Sequence, residues 1–221
     1  MIEGTDGSGK TIQFRRLIRK LKKNGFRVSA FDFLQYKKPS SYFVREYLNG
    51  RYGGWREVGP KRASLFYALD RFDAARRIQS ELEAGHVVVA NRYIGSNLAH
   101  QGSKMTNRKE RRAFFKWVYE LEYGMLGIPR PDRNLVLRVP AHVAQALVDK
   151  KGTREYIAGK KRDIHEEDIK HLKRAEEAYG EIVGSFPKDF MFVECMEKGK
   201  LLSPERVHER VWKIVKGIVS R

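Results

Sequence analysis

Short apolar runs alternate along the chain with longer segments of helical periodicity. The apolar runs are residues 26–34, 86–91, 134–140 and 189–195, and each has the length of a β-strand. The helical stripes between and after them are Phe14, Leu17, Ile18 and Leu21; Leu65, Leu69, Phe72 and Leu82; Ile169, Leu172, Tyr179, Ile182 and Val183; and Val207, Val211, Ile214, Val215 and Ile218. Strands alternating with helices predict an α/β fold, a doubly wound parallel sheet of five strands flanked by helices.

Two segments depart from this rhythm. Residues 150–162 are rich in Lys and Arg, contain two glycines and have little apolar content, which predicts a basic loop outside the core. The first strand is short, because only residues 1–3 precede a glycine-rich loop, whereas strands usually have about five residues. Either the natural chain begins further upstream or this strand is clipped. We expect one domain over residues 1–221, with the basic loop at about 150–163 as a lid.

The glycine-rich loop after the first strand matches the pattern G-x-x-x-x-G-K-[ST]. Glycines let the backbone wrap around phosphates and point its N–H groups inward, the lysine reaches the β- and γ-phosphates, and the hydroxyl suits Mg²⁺. A helix beginning near Gly9 adds its positive N-terminus. The pattern predicts an ATP site with Mg²⁺, formed by Gly4, Asp6, Gly7, Ser8, Gly9, Lys10 and Thr11.

The charge balance agrees with an anionic ligand. The chain has 45 Lys and Arg against 27 Asp and Glu, a formal charge of +18. Such a charge indicates nucleic acid, a membrane surface or small phosphate esters as ligand. The sequence has no apolar run long enough for a membrane span, and no basic-then-apolar leader. The lone Cys195, within an apolar run, is typical of a reduced core residue, so we expect a cytoplasmic protein.

Two further clusters carry polar side chains suited to a second ligand. One is Leu69-Asp70-Arg71, within a predicted helix starting near Arg62. The other, residues 91–101, directly follows the strand 86–91, and ligands of open α/β sheets bind at the carboxyl ends of strands. Arg92 in this cluster is suited to clamp a second phosphate in a bidentate manner.

Taken together, these motifs resemble the thymidylate kinase family, which are P-loop nucleoside-monophosphate kinases. The phosphate loop matches the family pattern G-x-D-G-x-G-K-T, residues 68–71 match A-L-D-R, and residues 91–100 are similar to D-R-Y-x-x-S-N-x-A-Y. Pro131-Asp132 matches the family's P-D, and residues 154–166 resemble its arginine-rich lid followed by D-x-x-E. These blocks follow in order from residue 4 to about residue 183.

The resemblance implies transfer of the γ-phosphoryl group of ATP to dTMP, giving dTDP, by a homodimer. Lys10 would hold the donor, Arg92 the acceptor phosphate, and Arg154 in the lid would be catalytic, with Lys160, Lys161 and Arg162 beside it. Asp6 would hold the sugar 3′-hydroxyl or, helped by Glu166, the magnesium that Thr11 also binds. The resemblance further implies that the acceptor nucleotide contacts Phe33, Tyr36, Tyr67, Arg71, Arg92, Ser96, Asn97 and His100, with Arg71 and Asn97 on the base edge and Tyr67 stacked on it.

Two residues depart from the family pattern. Asn91 stands where the family has an aspartate, which removes a charge that supports the magnesium site. His100 stands where the family has a tyrosine near the sugar 2′ position, which opens two interpretations: weaker exclusion of ribose, or a ring that simply fills the same space. The base and sugar of the acceptor therefore stay open.

Other functions compete with this one. The charge of +18 also fits a P-loop kinase or binding protein acting on another nucleotide or on nucleic-acid 5′ ends. Against a nucleic-acid partner, the sequence has no DNA- or RNA-reading motif. Asn91 raises the alternative of a non-catalytic relative, although Lys10, Thr11 and Arg92 are all present.

Overall fold

The predicted strands pair in parallel into a single sheet. In the computed structural model, which describes residues 1–149 and 169–220, the sheet strands are β1 (Ile2–Glu3), β2 (Val28–Asp32), β3 (Val87–Asn91), β4 (Asn134–Arg138) and β5 (Phe190–Glu194). Their order is β2-β3-β1-β4-β5, with every pairing parallel. A small antiparallel hairpin follows, β6 (Met196–Glu197) and β7 (Lys200–Leu201). The predicted α/β fold with a five-stranded parallel sheet is confirmed.

Helices cover both faces of this sheet. They are α1 (Lys10–Lys23), α2 (Tyr42–Leu48), α3 (Trp55–Glu83), α4 (Ile94–Gly102), α5 (Arg108–Tyr119), α6 (Ala141–Asp149), α7 (Ile169–Ser185) and α8 (Pro204–Val219), with a 3₁₀ turn at Pro39–Ser41 and a π-helical turn at Glu120–Met125. α3 is kinked at Gly59, whose φ is 73°, so its regular part begins at Pro60, close to the predicted start near Arg62.

Two large apolar clusters cover the faces of the sheet, and a small third cluster of Tyr47, Val58 and Ala63 joins α2 to α3. One large cluster packs the sheet against α3, α4, α5 and α7, with Ile78, Leu98 and Phe115 fully buried. The other large cluster packs it against α1, α6 and α8, with Leu21 and Val211 fully buried. This arrangement places the carboxyl ends of β1, β2 and β3 together at one edge, where the phosphate loop and the cluster at 91–101 lie.

The apolar stripe predicted within α3 correctly indicated a helix, but its residues do not lie on the buried face of that helix. Leu65, Leu69 and Phe72 are 39%, 42% and 50% exposed. The core side of α3 instead carries Ile78 and small residues such as Ala74 and Ala75. Close packing of this helix on the sheet leaves room only for small side chains at those positions. In the described ranges, no helix is long and apolar enough to cross a membrane.

Candidate active site

The phosphate loop joins β1 to α1 as its sequence pattern predicts. Gly4 and Gly7 have φ values of 140° and 81°, which favour glycine. A Cβ on Gly7 would lie 2.0 Å from the carbonyl oxygen of Ala144, so α6 closes against the loop. Lys10 begins α1, and its Nζ donates to the carbonyl oxygen of Thr5 at 2.7 Å. The loop backbone and the start of α1 therefore form the expected cradle for phosphates.

A pocket of about 350 Å³ opens beside this loop at the carboxyl ends of the strands. Every residue predicted to contact the acceptor nucleotide lines it, and so do most of the predicted loop residues. The lining residues are Asp6, Gly7, Gly9, Lys10, Thr11, Asp32, Phe33, Leu34, Tyr36, Leu48, Tyr67, Arg71, Asn91, Arg92, Ser96, Asn97, His100 and Gln101. Gly4 and Ser8, also predicted for the loop, are not among these lining residues.

Arg92 lines the pocket and is held there by an unusual backbone conformation and by several side-chain partners. Its φ is 63°, in the left-handed region that non-glycine residues rarely adopt and that is typical of functional sites. Its Nη2 pairs with the Asp6 carboxylate, and its Nη1 donates to Ser96 Oγ at 3.2 Å. Although burial disfavours the charged guanidinium, Asp6 and other nearby acidic groups raise the pKa of Arg92 above its ordinary value. Arg92 is thus a fixed cation facing the phosphate loop.

Glu3, which sequence reasoning did not identify, anchors this cluster from below. Its buried carboxylate accepts from the backbone N–H of Tyr93 at 2.7 Å, from Ser96 Oγ at 2.7 Å and from the Tyr179 hydroxyl at 3.1 Å. These bonds tie β1 to the start of α4 and so fix Ser96 beside Arg92. The sequence feature that could have indicated this role of Glu3 is an acidic residue within a strand that directly precedes a phosphate loop.

The wall formed by the β2–α2 connection depends on Asp70. Phe33 is buried and packs at 6.4 Å on Phe31, and Tyr36 lines the pocket a few residues further on. The carboxylate of Asp70 accepts from the backbone N–H of Gln35 at 2.9 Å and from Ser40 Oγ at 2.6 Å. Asp70 therefore fastens this connection to α3.

Arg71 and Asn97 meet at a third acidic residue, Glu122, which sequence reasoning also missed. Arg71 forms a bidentate ion pair with Glu122, with Nε and Nη2 donating at 2.6 and 2.5 Å. Asn97 Nδ2 donates to the same carboxylate at 2.9 Å. Burial opposes the charge on Arg71, but Glu122 outweighs it and raises the pKa of Arg71.

Asn91 has an acidic neighbour on the next strand. Asp32 and Asn91 are paired in register at the ends of β2 and β3, and Asn91 Nδ2 donates to Asp32 Oδ1 at 2.7 Å. Burial raises the pKa of Asp32, while the bond from Asn91 and the charge of Arg92 act in the opposite direction. The family's aspartate is replaced by Asn91, but a carboxylate is still present at this place, on Asp32 of the neighbouring strand. Asp32 was hidden in the sequence because it ends a strand that carries no recognised motif.

His100 does not stand alone in its part of the pocket. Its Nε2 faces Arg92 Nη1 at 3.2 Å, and its Nδ1 faces Nε2 of His171 at 3.3 Å. Burial lowers the pKa of His100 well below its ordinary value. His171, at the start of α7, belongs to no sequence motif and was not predicted as a site residue.

Several predicted residues lie outside the described residues. They are Arg154, Lys160, Lys161, Arg162 and Glu166, together with the lid at 150–163.

The phosphate loop, the parallel sheet and the facing arginine define a P-loop phosphotransferase of the nucleoside-monophosphate kinase class. The thymidylate kinase family model matches residues 2–203, and the chain therefore belongs to the thymidylate kinase family. Its sequence is 30% identical over 182 residues to the thymidylate kinase of Mycobacterium tuberculosis (strain CDC 1551 / Oshkosh), covering 82% of this chain and 83% of the relative. The predicted family and phosphotransferase class are confirmed.

Two other comparisons extend over almost the whole chain. The probable thymidylate kinase of Pyrobaculum aerophilum is 28% identical over 227 residues, which cover 99% of this chain and 96% of that protein. The thymidylate kinase structure from Candida albicans superposes with a TM-score of 0.74 over 98% of this chain and 89% of that chain, at 21% identity. The structural match supports the fold.

Proposed function

We propose that this chain transfers the γ-phosphoryl group of ATP to dTMP, giving dTDP. The observation that carries the proposal is the position of Asp6 between two cations of one pocket. Lys10 Nζ lies 3.8 Å from Asp6 Oδ1, and Arg92 Nη2 pairs with the same oxygen. A phosphate-loop lysine and a second phosphate-binding arginine converging on one point suit two phosphates brought together for in-line transfer.

In this mechanism the loop amides and Lys10 hold the donor phosphates, and Arg92 holds the acceptor phosphate. Asp6 keeps the guanidinium of Arg92 aimed at the loop. Since an acceptor phosphate oxygen is already ionised at neutral pH, transfer requires alignment and charge neutralisation rather than a general base. Arg154 is the proposed lid arginine that neutralises charge in the transition state.

The oxygen atoms around the end of β2 fit a magnesium ion. Asn91 Oδ1 is buried and has no hydrogen-bond partner within residues 1–149 and 169–220, and the Asp32 carboxylate and Thr11 line the same pocket. Such hard oxygen ligands suit Mg²⁺, which takes few protein ligands beside phosphates. Thr11, Asp32 and Asn91 would hold the ion, with Asp6 and Glu166 as the further predicted ligands. When bound, Mg²⁺ neutralises negative charge on the phosphates.

We also propose a homodimer and a cytoplasmic location. Leu65, Leu69 and Phe72 form an exposed apolar stripe on α3. A stripe of this kind is typical of helices that pack against a second copy. The thiol of Cys195 is free and buried, as expected of a protein from a reducing compartment.

A coupled assay of ADP release tests the activity. ATP and Mg²⁺ are combined in turn with dTMP, dUMP, UMP, CMP, AMP and GMP. We expect the highest kcat/KM with dTMP. Failure of every monophosphate to stimulate ADP release would contradict the proposal, and preference for a purine monophosphate would reassign the acceptor.

A further inference from the structure

One buried carboxylate lies behind the part of the pocket opposite the phosphate loop. Glu122 belongs to the π-helical turn Glu120–Met125 and is completely buried. π-Helical turns are rare and are frequent at functional sites. The carboxylate accepts from two side chains that line the pocket, Arg71 and Asn97, but does not line the pocket itself.

Glu122 determines which way round the Asn97 amide is held. Asn97 Nδ2 lies 2.9 Å from Glu122 Oε1 and 3.3 Å from the carbonyl oxygen of Ser64. Both neighbours can only accept a hydrogen bond, so the amide nitrogen must face them and the oxygen must face away. Asn97 is 2% exposed, and its Oδ1 has no partner among the described residues. A buried acceptor without a partner costs free energy that a ligand donor would recover.

The same carboxylate divides the donors of Arg71. Its Nε and Nη2 edge is committed to Glu122, so the remaining N–H groups of the guanidinium are those available to a ligand. The pocket thus combines a fixed donor from Arg71 with a fixed acceptor from Asn97. An ionised carboxylate cannot donate, so the amide of Asn97 cannot reverse without opposing its oxygen to the oxygens of Glu122.

We propose that Glu122 is a positioning residue that determines base specificity, by presenting Arg71 as donor and Asn97 Oδ1 as acceptor to a pyrimidine that carries N3–H and O4. This inference rests on the proposed function and names the base it selects. Thymine and uracil have that donor and acceptor pattern, whereas cytosine has an acceptor at N3 and a donor at N4. Cytosine would therefore place donor against donor and acceptor against acceptor.

The unmodified enzyme provides the first test. Its kcat/KM, and its Kd by calorimetry so that the result does not depend on turnover, are measured for dTMP, dUMP, dCMP and 3-methylthymidine monophosphate, whose N3–H is replaced by a methyl group. We expect dCMP and the methylated nucleotide to be disfavoured relative to dTMP by about 10³-fold or more. Binding of the 3-methyl nucleotide as tight as that of dTMP would overturn the assignment of Asn97 Oδ1.

The second test separates positioning from stability. Glu122→Gln introduces a donor beside Asn97 and leaves only the carbonyl oxygen of Ser64, at 3.3 Å, to oppose reversal of the Asn97 amide, so the preference for dTMP over dCMP should fall by about 30-fold or more. The control is Glu181→Gln, which removes the ion pairs of Glu181 with Arg108 and Arg111 at 3.0 and 3.2 Å, away from the pocket. Its preference should not change, although its melting temperature should fall.

An unchanged preference in Glu122→Gln would overturn the inference. If that variant does not fold, Glu122→Asp is measured in the same way, because it keeps the charge but shortens the reach to both partners. Absence of dTMP turnover by the unmodified enzyme would count against the proposed function, whereas dTMP turnover with an unchanged preference in the variants would count against the role of Glu122 alone.

Discussion

The imidazole rings of His100 and His171 are joined end to end, with His100 Nδ1 3.3 Å from His171 Nε2 and the ring planes inclined by 23°. Arg92 can only donate to His100 Nε2, so His100 carries its proton on Nδ1 and donates to His171. His171 Nδ1 then faces Ser103 Oγ at 3.4 Å, and that hydroxyl donates to the His100 carbonyl at 2.8 Å. The donated hydrogen bonds run in one direction, from the arginine that faces the phosphate loop to the carbonyl oxygen of His100.

We predict that His171 orients Arg92 through His100. His171→Gln keeps an acceptor near the position of Nε2, whereas His171→Met has similar length and removes it. The KM for dTMP should rise by about 10-fold in His171→Met and stay within about 3-fold in His171→Gln, with the KM for ATP unchanged in both. In ¹⁵N-histidine NMR spectra, the Nδ1–H of His100 should be hydrogen-bonded in the unmodified protein and in the Gln variant but not in the Met variant. Equal behaviour of the two variants would show that His171 serves packing alone.

Sequence reasoning predicted much of the fold because strands and phosphate loops are local patterns. The four apolar runs coincide with β2 to β5, and the loop lies between β1 and α1 as its glycines require. The supporting residues Glu3, Asp32 and Glu122 were missed because they act at long range. Glu3 and Ser96 are 93 positions apart, and Arg71 and Glu122 are 51 apart, so no local pattern connects them.

Arg92 is predicted to bind the acceptor phosphate through two parallel N–H donors and not through its charge alone. Arg92→Lys keeps the positive charge but loses the planar pair of donors, so kcat/KM for dTMP should fall by about 30-fold or more. The KM for ATP should stay within about 3-fold, because Lys10 and the loop amides hold the donor. The matched control is Arg130→Lys, at an arginine paired with Asp189 at 2.8 Å outside this pocket. Equal losses for ATP and dTMP would contradict a role confined to the acceptor.

Lys104 is predicted to make stability depend on pH. Burial lowers its pKa to about 7 from an ordinary value of 10.5, while its Nζ donates to the Tyr47 hydroxyl at 2.8 Å. Between these two values the unfolded chain binds more protons than the folded one, so the stability contributed by Lys104 rises with pH across this window. Below about pH 7 both states are protonated, and the cost of burying the charge is fully present.

The measurement is the free energy of unfolding of the unmodified protein minus that of Lys104→Met, determined by denaturant titration at several pH values. This difference should increase in favour of the unmodified protein from about pH 7 to about pH 10. A difference that is constant with pH would show that Lys104 keeps an ordinary affinity for its proton.

The exposed stripe on α3 is predicted to hold two copies of the chain together. Leu65, Leu69 and Phe72 lie four and three positions apart on one helix face, and Phe72 is 50% exposed. Phe72→Asp places a charge at the most exposed position of that face and should convert a dimer to a monomer in sedimentation velocity experiments. Leu82→Asp is the matched control, because Leu82 is 40% exposed on the same helix but lies about 100° from Leu65 around its axis. Since both side chains are exposed, neither variant should lose the fold. A dimer that survives Phe72→Asp would contradict the prediction that this face forms the dimer interface. Unmodified protein that sediments as a monomer would contradict it as well.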